Sequence, residues 1–355
     1  MIPRASIICL LLLATNIFNA NACGPMYPYG EEVRFCLLRP EYFSFTGKFS
    51  PFIYTSELFY RYNGFDFDTV GREPNALLWK KRCKSEIPIS EITDGVYNYS
   101  DAARGSNLFL KHLVKNNDIE ALNYIAFAKS CENFNSFIID PWERNDSYVL
   151  PQRRKLIEAA LKAAETVKDG DIKKRYAFLA IRLAYYNEQY IDLSSTYKKY
   201  FFNKENDIVD YWAMYFYAFT QKNKAYSNYL LSKVFRFAPD KRFMASSLYD
   251  RKLLSATLPF AKNNQEKATI LMLNAIRNPG KALAEIKQIQ NLYPGWEGVD
   301  FLVLREINKI EDWVLTPYYT NFGIHLLIVG IAMSCLLTSF YKKGYLQTES
   351  MLVNC

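Results

Sequence analysis

With 355 residues, a net charge of +8 and 16% aromatic side chains, this chain is too rich in buriable rings to be a solvated linker. Its 27 tyrosines and 25 phenylalanines predict a helical core in which many phenol hydroxyls need partners, with an aromatic binding surface for glycan or peptide as the alternative. Only two histidines occur, His112 and His325, which leaves little room for histidine-based catalysis or a histidine metal site.

In chain order, the first element is a short apolar run, Ile7 to Leu13, preceded by Arg4 and followed by Ala20-Asn21-Ala22. The run is too short to span a bilayer, and small residues at Ala20 and Ala22 suit signal peptidase, so residues 1–22 read as a secretory signal peptide cleaved between Ala22 and Cys23. A cysteine at that position is also where a bacterial lipoprotein is acylated. Against lipidation of Cys23, Ala20 stands where a strong lipobox has leucine.

Residues 23–88 read as an extended or irregular N-terminal region. Gly24-Pro25, Pro28 and Gly30 are turn residues, Val33 to Leu37 is a short extended run, and Tyr42-Phe43-Ser44-Phe45 and Phe65-Asp66-Phe67-Asp68 alternate with period two. Four cysteines fall in the exported part, Cys23, Cys36, Cys83 and Cys131. An even number outside the cytoplasm permits two disulfides whose pairing the sequence leaves open, and the spacings of 13, 47 and 48 residues fit no zinc pattern.

From residue 89 to 316 Gly and Pro thin out and apolar residues recur at three and four positions. This spacing predicts helices over about 104–115, 118–131, 152–168, 172–187, 189–202, 207–221, 224–237, 242–255, 264–277, 279–292 and 297–313. Short pairs with short connections cannot bury their apolar faces alone, so the expected fold is mostly α: an α-solenoid of antiparallel helix pairs. Residues 174–207 and 208–241 align at a period of 34, matching Ala180 with Met214, Ala184 with Ala218, Tyr197 with Leu231 and Tyr200 with Val234, and closing on Pro239. Residues 263–296 continue the pattern with Ile270, Leu273, Ala282, Ile286, Ile289 and Pro294, after an inserted helix of 21 residues between Lys241 and Ala261. This resembles the tetratricopeptide repeat. Departures fall at Ile181, Leu193, Tyr215 and Ser227, where the repeat has small residues. The resemblance implies a groove that binds a protein or peptide.

Cys23-Gly24-Pro25-Met26-Tyr27-Pro28-Tyr29-Gly30-Glu31-Glu32-Val33-Arg34-Phe35, together with Lys309-Ile310-Glu311-Asp312-Trp313-Val314-Leu315-Thr316-Pro317, is similar to a group of large exported proteins of the Bacteroidota that has no assigned activity. Members of that group continue past the second run with more helical chain. Here the apolar run Phe322 to Tyr341 follows instead, which reads either as a genuine anchor or as the altered end of a longer protein. As a helix, residues 322–341 would be about 30 Å long, enough for one transmembrane pass. Lys342-Lys343 place the tail, 342–355, in the cytoplasm, and His325 sits near the outer boundary.

The basic clusters Lys80-Lys81-Arg82, Arg153-Arg154-Lys155 and Lys173-Lys174-Arg175 read as solvated helix faces and ends. No nucleic-acid motif accompanies them, and none of the metalloprotease, serine-hydrolase or phosphate-loop signatures occurs. His112 lies on an amphipathic run, and the acids Glu31, Glu32, Asp66, Asp68, Asp140 and Glu143 sit in polar loops. The reading from sequence is therefore a non-enzymatic cell-envelope scaffold or binding protein, without cofactor or metal, whose helical array recognises a protein or peptide. A surface glycan-capture protein similar to starch-utilisation-type binding lipoproteins is the alternative.

Overall fold

A computed structural model describes residues 37–54, 67–83, 87–135 and 149–319. The signal peptide with Ala22, the cysteines Cys23 and Cys36, the span 322–341 and the tail 342–355 lie outside the described residues. Among the described residues no helix is long and apolar enough to cross a membrane.

The described residues are mostly helical and contain no strand. The helices are α1 (Phe67–Lys80), α2 (Ile89–Tyr97), α3 (Leu108–Lys115), α4 (Ile119–Ser130), α5 (Pro151–Thr166), α6 (Gly170–Tyr186), α7 (Tyr190–Tyr200), α8 (Ile208–Phe219), α9 (Lys224–Phe237), α10 (Arg242–Leu248), α11 (Asn264–Ile276), α12 (Leu283–Leu292) and α13 (Glu297–Tyr319). Of the described residues, one compact unit comprises 38–54, 67–83, 87–135 and 149–310 and carries nearly all of the helices; Leu37 and 311–319 belong to another. In that second unit the Leu37 N–H donates to Glu311 Oε2 at 3.0 Å.

Within the large unit, neighbours in sequence are neighbours in space: α5 on α6, α6 on α7, α8 on α9, α11 on α12. Contacts also run between alternate helices, α4 to α6 to α8. This pattern is consistent with an α-solenoid. Six of the starts are encoded locally. Asn107, Asp118, Asp169, Asp207, Asn223 and Asn263 cap α3, α4, α6, α8, α9 and α11, each side chain accepting backbone N–H groups that the first turn cannot satisfy. Asp207 and Asp210 complete a reciprocal capping box.

Three sequence expectations need correction. Phe67–Lys80, assigned to the irregular region, is a helix; Gly71 and Pro74 hide it from a propensity reading, yet Ala76 and Trp79 put one face into the core. Tyr42 to Phe45 is a 3-10 turn and bend rather than a strand, since no partner strand accompanies it among the described residues. The inserted helix over 242–255 stops at Leu248; single turns, Arg251–Leu253, Leu254–Thr257 and Leu258–Phe260, follow it.

The segment Leu38–Tyr54 packs into the large unit through two rings. Phe49 stacks on Phe301 with centroids 4.9 Å apart, and Phe52 lies 5.5 Å from Phe235. Arg242 sits over Phe49 and donates to the Phe235 carbonyl, and burial pulls its pKa down to about 10.

One glycine is dictated by close approach. A Cβ on Gly95 would stand 2.8 Å from Asn107 Oδ1 and 3.0 Å from Phe109 Cδ1. Asn107 cannot yield, because it caps α3 and donates to the Glu91 carbonyl and to Asp94. Gly95→Ala is expected to cost about 1–2 kcal/mol by overpacking, read as a shift in the urea midpoint at unchanged slope. An unchanged midpoint would show that α2 and α3 are not in contact here.

The basic clusters are also only partly solvated. Each contributes one arginine to the interior or its edge: Arg82, Arg153 and Arg175. Arg82, whose side chain is 16% exposed, meets Asp118 at 2.9 Å, Asp169 at 3.0 Å and Asp171 at 3.8 Å, tying the end of α1 to the starts of α4 and α6. Arg153, 1% exposed, donates to the carbonyls of Phe134 and Tyr186.

These contacts set an acid limit. Burial alone would raise Asp169, but Arg82 and the N–H groups of Ile172 and Asp171 outweigh it and hold the carboxyl below its ordinary range. Glu120 is held low by the N–H groups of Lys168 and Asp169. Both folded pKa values lie below the unfolded ones, so their stabilisation is whole above the ordinary carboxylate range and is lost as pH falls below about 4. Thermal midpoints are expected to be level from pH 7 to 5 and to fall steeply below that; a midpoint unchanged down to pH 3 would remove both groups from the account.

Candidate functional site

Three alternate helices, α4, α6 and α8, with α1, α2 and α10, surround a cavity of about 490 Å³. That size lies within the range of small-ligand sites. From α6 the residues Arg175, Phe178, Leu179, Arg182 and Tyr186 line it, spaced by three and four so that they form one stripe. From α4 come Tyr124 and Lys129, and from α8 come Trp212, Tyr215 and Phe216. Phe178 lies 5.5 Å from Trp212 and 6.2 Å from Phe216, joining the α6 and α8 walls.

Helix α1 closes one side. Trp79 is fully buried, set against Phe109 at 5.8 Å and Tyr124 at 6.0 Å, with the Arg175 guanidinium 4.1 Å over its ring. Asn75 Nδ2 donates to the Tyr97 hydroxyl at 2.7 Å, and its Oδ1 accepts from Arg175 Nη1 at 2.8 Å. Arg175 is 2% exposed; its Nε donates to Asp171 and its Nη2 has no partner. Two turns on, Arg182 Nη2 donates to the Asn135 carbonyl at 3.3 Å while its buried Nε has no partner. The Trp79 indole N–H and Asn135 Oδ1 are also buried without partners.

Other charges at the cavity are answered. Lys129 pairs with Glu132 at 2.7 Å, and Asp240 pairs with Lys241 at 3.3 Å and accepts from the Trp212 indole at 2.9 Å. Burial pushes the Tyr124 phenol up to about 12 and also raises Tyr215, so these hydroxyls stay neutral at ordinary pH. The unanswered polarity of the walls is therefore chiefly that of two guanidinium groups among aromatic rings.

The residues singled out from sequence lie elsewhere. Cys83 and Cys131 are buried free thiols, and burial raises both, Cys131 to about 11. His112 is half-buried in the last turn of α3. Among the described residues no group of three metal-ligating side chains occurs. Glu31, Glu32, Asp66, Asp140, Glu143 and His325 lie outside the described residues.

The run beginning Lys309-Ile310 holds the fold. Lys309 is fully buried, pairs with Glu306 and donates to the carbonyls of Asn278 and Gly280, fastening the loop between α11 and α12. Arg175 and Arg182 escaped the sequence reading as site residues, although their seven-residue spacing on a predicted helix does put them on one face. Compared with family models, curated proteins and solved structures, the chain matches none.

Proposed function

We propose that this chain is a non-enzymatic binding protein of the cell envelope, whose tetratricopeptide-like helix pairs take up a segment of a protein or peptide on the face made by α4, α6 and α8. The observation that carries this reading is the cavity itself: the alternate helices α4, α6 and α8 line one space with aromatic rings and two incompletely bonded guanidiniums. Repetition supports it, since the starts of α7 and α9, Tyr190 and Lys224, keep the 34-residue period read from the sequence. Where the repeat has a small residue in its second helix, Ser227 turns its hydroxyl to the Ala218 carbonyl at 2.8 Å.

The test is a photo-crosslinking residue at Tyr186, which lines the cavity, in the full chain in its own envelope. A discrete protein adduct is expected there and not from the same group at Ile191, which is 85% exposed on α7. Identical adducts from both positions would defeat the reading, and a tight, saturable hit on a glycan array would replace it with glycan capture. Export and anchoring complete the proposal through the signal sequence and residues 322–341. Alkaline carbonate should leave the full chain in the membrane and release a chain ending at Thr320; equal behaviour would dismiss the anchor.

A further inference from the structure

The two guanidiniums say more about what the cavity takes. Arg175 and Arg182 are seven residues apart on α6, so their Cα atoms lie about 10.5 Å apart along one face. Phe178 and Leu179 stand between them on the same cavity wall. Arg175 Nη2 and Arg182 Nε are buried N–H donors without partners, and the only hydrogen bond recorded for Arg182 among the described residues is to the Asn135 carbonyl. A buried cationic donor facing an apolar wall favours an acceptor that carries negative charge.

We propose that the cavity binds an acidic peptide segment in the polyproline II conformation in which two carboxylate side chains, three residues apart, meet Arg175 and Arg182. In that conformation side chains three residues apart share one face, and three residues span about 9 Å, close to the roughly 10.5 Å of seven residues of helix. The two intervening side chains then point to either side of that line, where the rings of Tyr124, Trp212 and Phe216 favour an aromatic or branched apolar residue. This proposal rests on the reading of the cavity as a peptide site and adds the charge and spacing of the segment.

The experiment uses the full chain in detergent micelles and fluorescein-labelled peptides with blocked ends. The first carries Glu-Tyr-Leu-Glu between glycines; the second has both Glu replaced by Gln; the third has the two Glu adjacent. The first is expected to bind at least about ten times more tightly than either other, and to weaken as salt is raised. Arg182→Gln is expected to remove that preference and Arg182→Lys to keep part of it, with helicity and melting followed alongside. Arg175→Gln repeats the test at the other end, but Arg175 also bonds to Asn75 and Asp171, so Arg182 carries the decision if that variant fails to fold. Equal binding of the Glu and Gln peptides, or a preference that survives Arg182→Gln in a folded protein, overturns the proposal while leaving a peptide site intact. Binding of oligogalacturonate in place of every peptide also overturns it and points to an acidic glycan. Failure of all these probes rejects the acidic segment, and the crosslink at Tyr186 then judges the peptide reading separately.

Discussion

Trp79→Ala is expected to lower the unfolding free energy by about 3–5 kcal/mol, the range for deleting a large, fully buried aromatic side chain. Trp79 is 0% exposed and belongs to a helix whose own sequence is a poor helix former, with Thr69, Val70, Gly71 and Pro74 within fourteen residues. Such a helix persists through its docking, and the ring is its deepest contact. Its loss removes ring contacts to Phe109 and Tyr124 and takes the aromatic surface from beneath the Arg175 guanidinium. Guanidinium chloride unfolding of the full chain in micelles gives the magnitude. Trp79→Phe should recover more than half of it by refilling most of the volume. A cost below about 1 kcal/mol for the alanine variant would mean that α1 is not held against α3, α4 and α6 in this way.

Arg82→Met is expected to cost about 3 kcal/mol, the lower end of the range for breaking a buried ion pair because the guanidinium is partly exposed. The reason lies in what remains. Asp118, Asp169 and Asp171 converge on this one cation, and without it three carboxylates face one another near the ends of three helices. Asp118 and Asp169 also cap α4 and α6, which keeps them in place. A double-mutant cycle with Asp118→Asn should give a coupling of roughly 1–2 kcal/mol, and the cost of Arg82→Met should shrink in acid as Asp169, which Arg82 holds below the ordinary carboxylate range, takes up its proton. An additive cycle would show that the two side chains do not interact.

These two residues also mark where a sequence reading stops. Helices α3 to α9, α11, α12 and α13 were legible because their apolar positions recur every three to four residues and Asn or Asp stands at most of their starts, and both signals act within one turn of chain. The register of α7 against α9 was legible for the same reason: Tyr197 and Leu231 fall on matching buried positions. Helix α1 was not, because Gly71 and Pro74 contradict the state that the seat of Trp79 imposes. Helix α2 was missed because it is nine residues long and contains Gly95, whose missing side chain makes room for Asn107 and Phe109 from elsewhere in the chain.

The basic clusters show the same division at the level of single charges. Three adjacent cations have the same local pattern whether they meet water or a partner, so the sequence placed Arg153 and Arg175 in helices and no more. Which of them enters the interior depends on where distant carboxylates and carbonyls arrive: Asp118 and Asp169 for Arg82, Phe134 and Tyr186 for Arg153, Asn75 for Arg175. The sequence by itself determined a mostly helical, paired architecture, because helix period and capping are local. Tertiary structure alone decided the cavity and its two guanidiniums, because burial in a low-dielectric interior and the loss of hydrogen-bond partners depend on elements a hundred residues apart meeting in space.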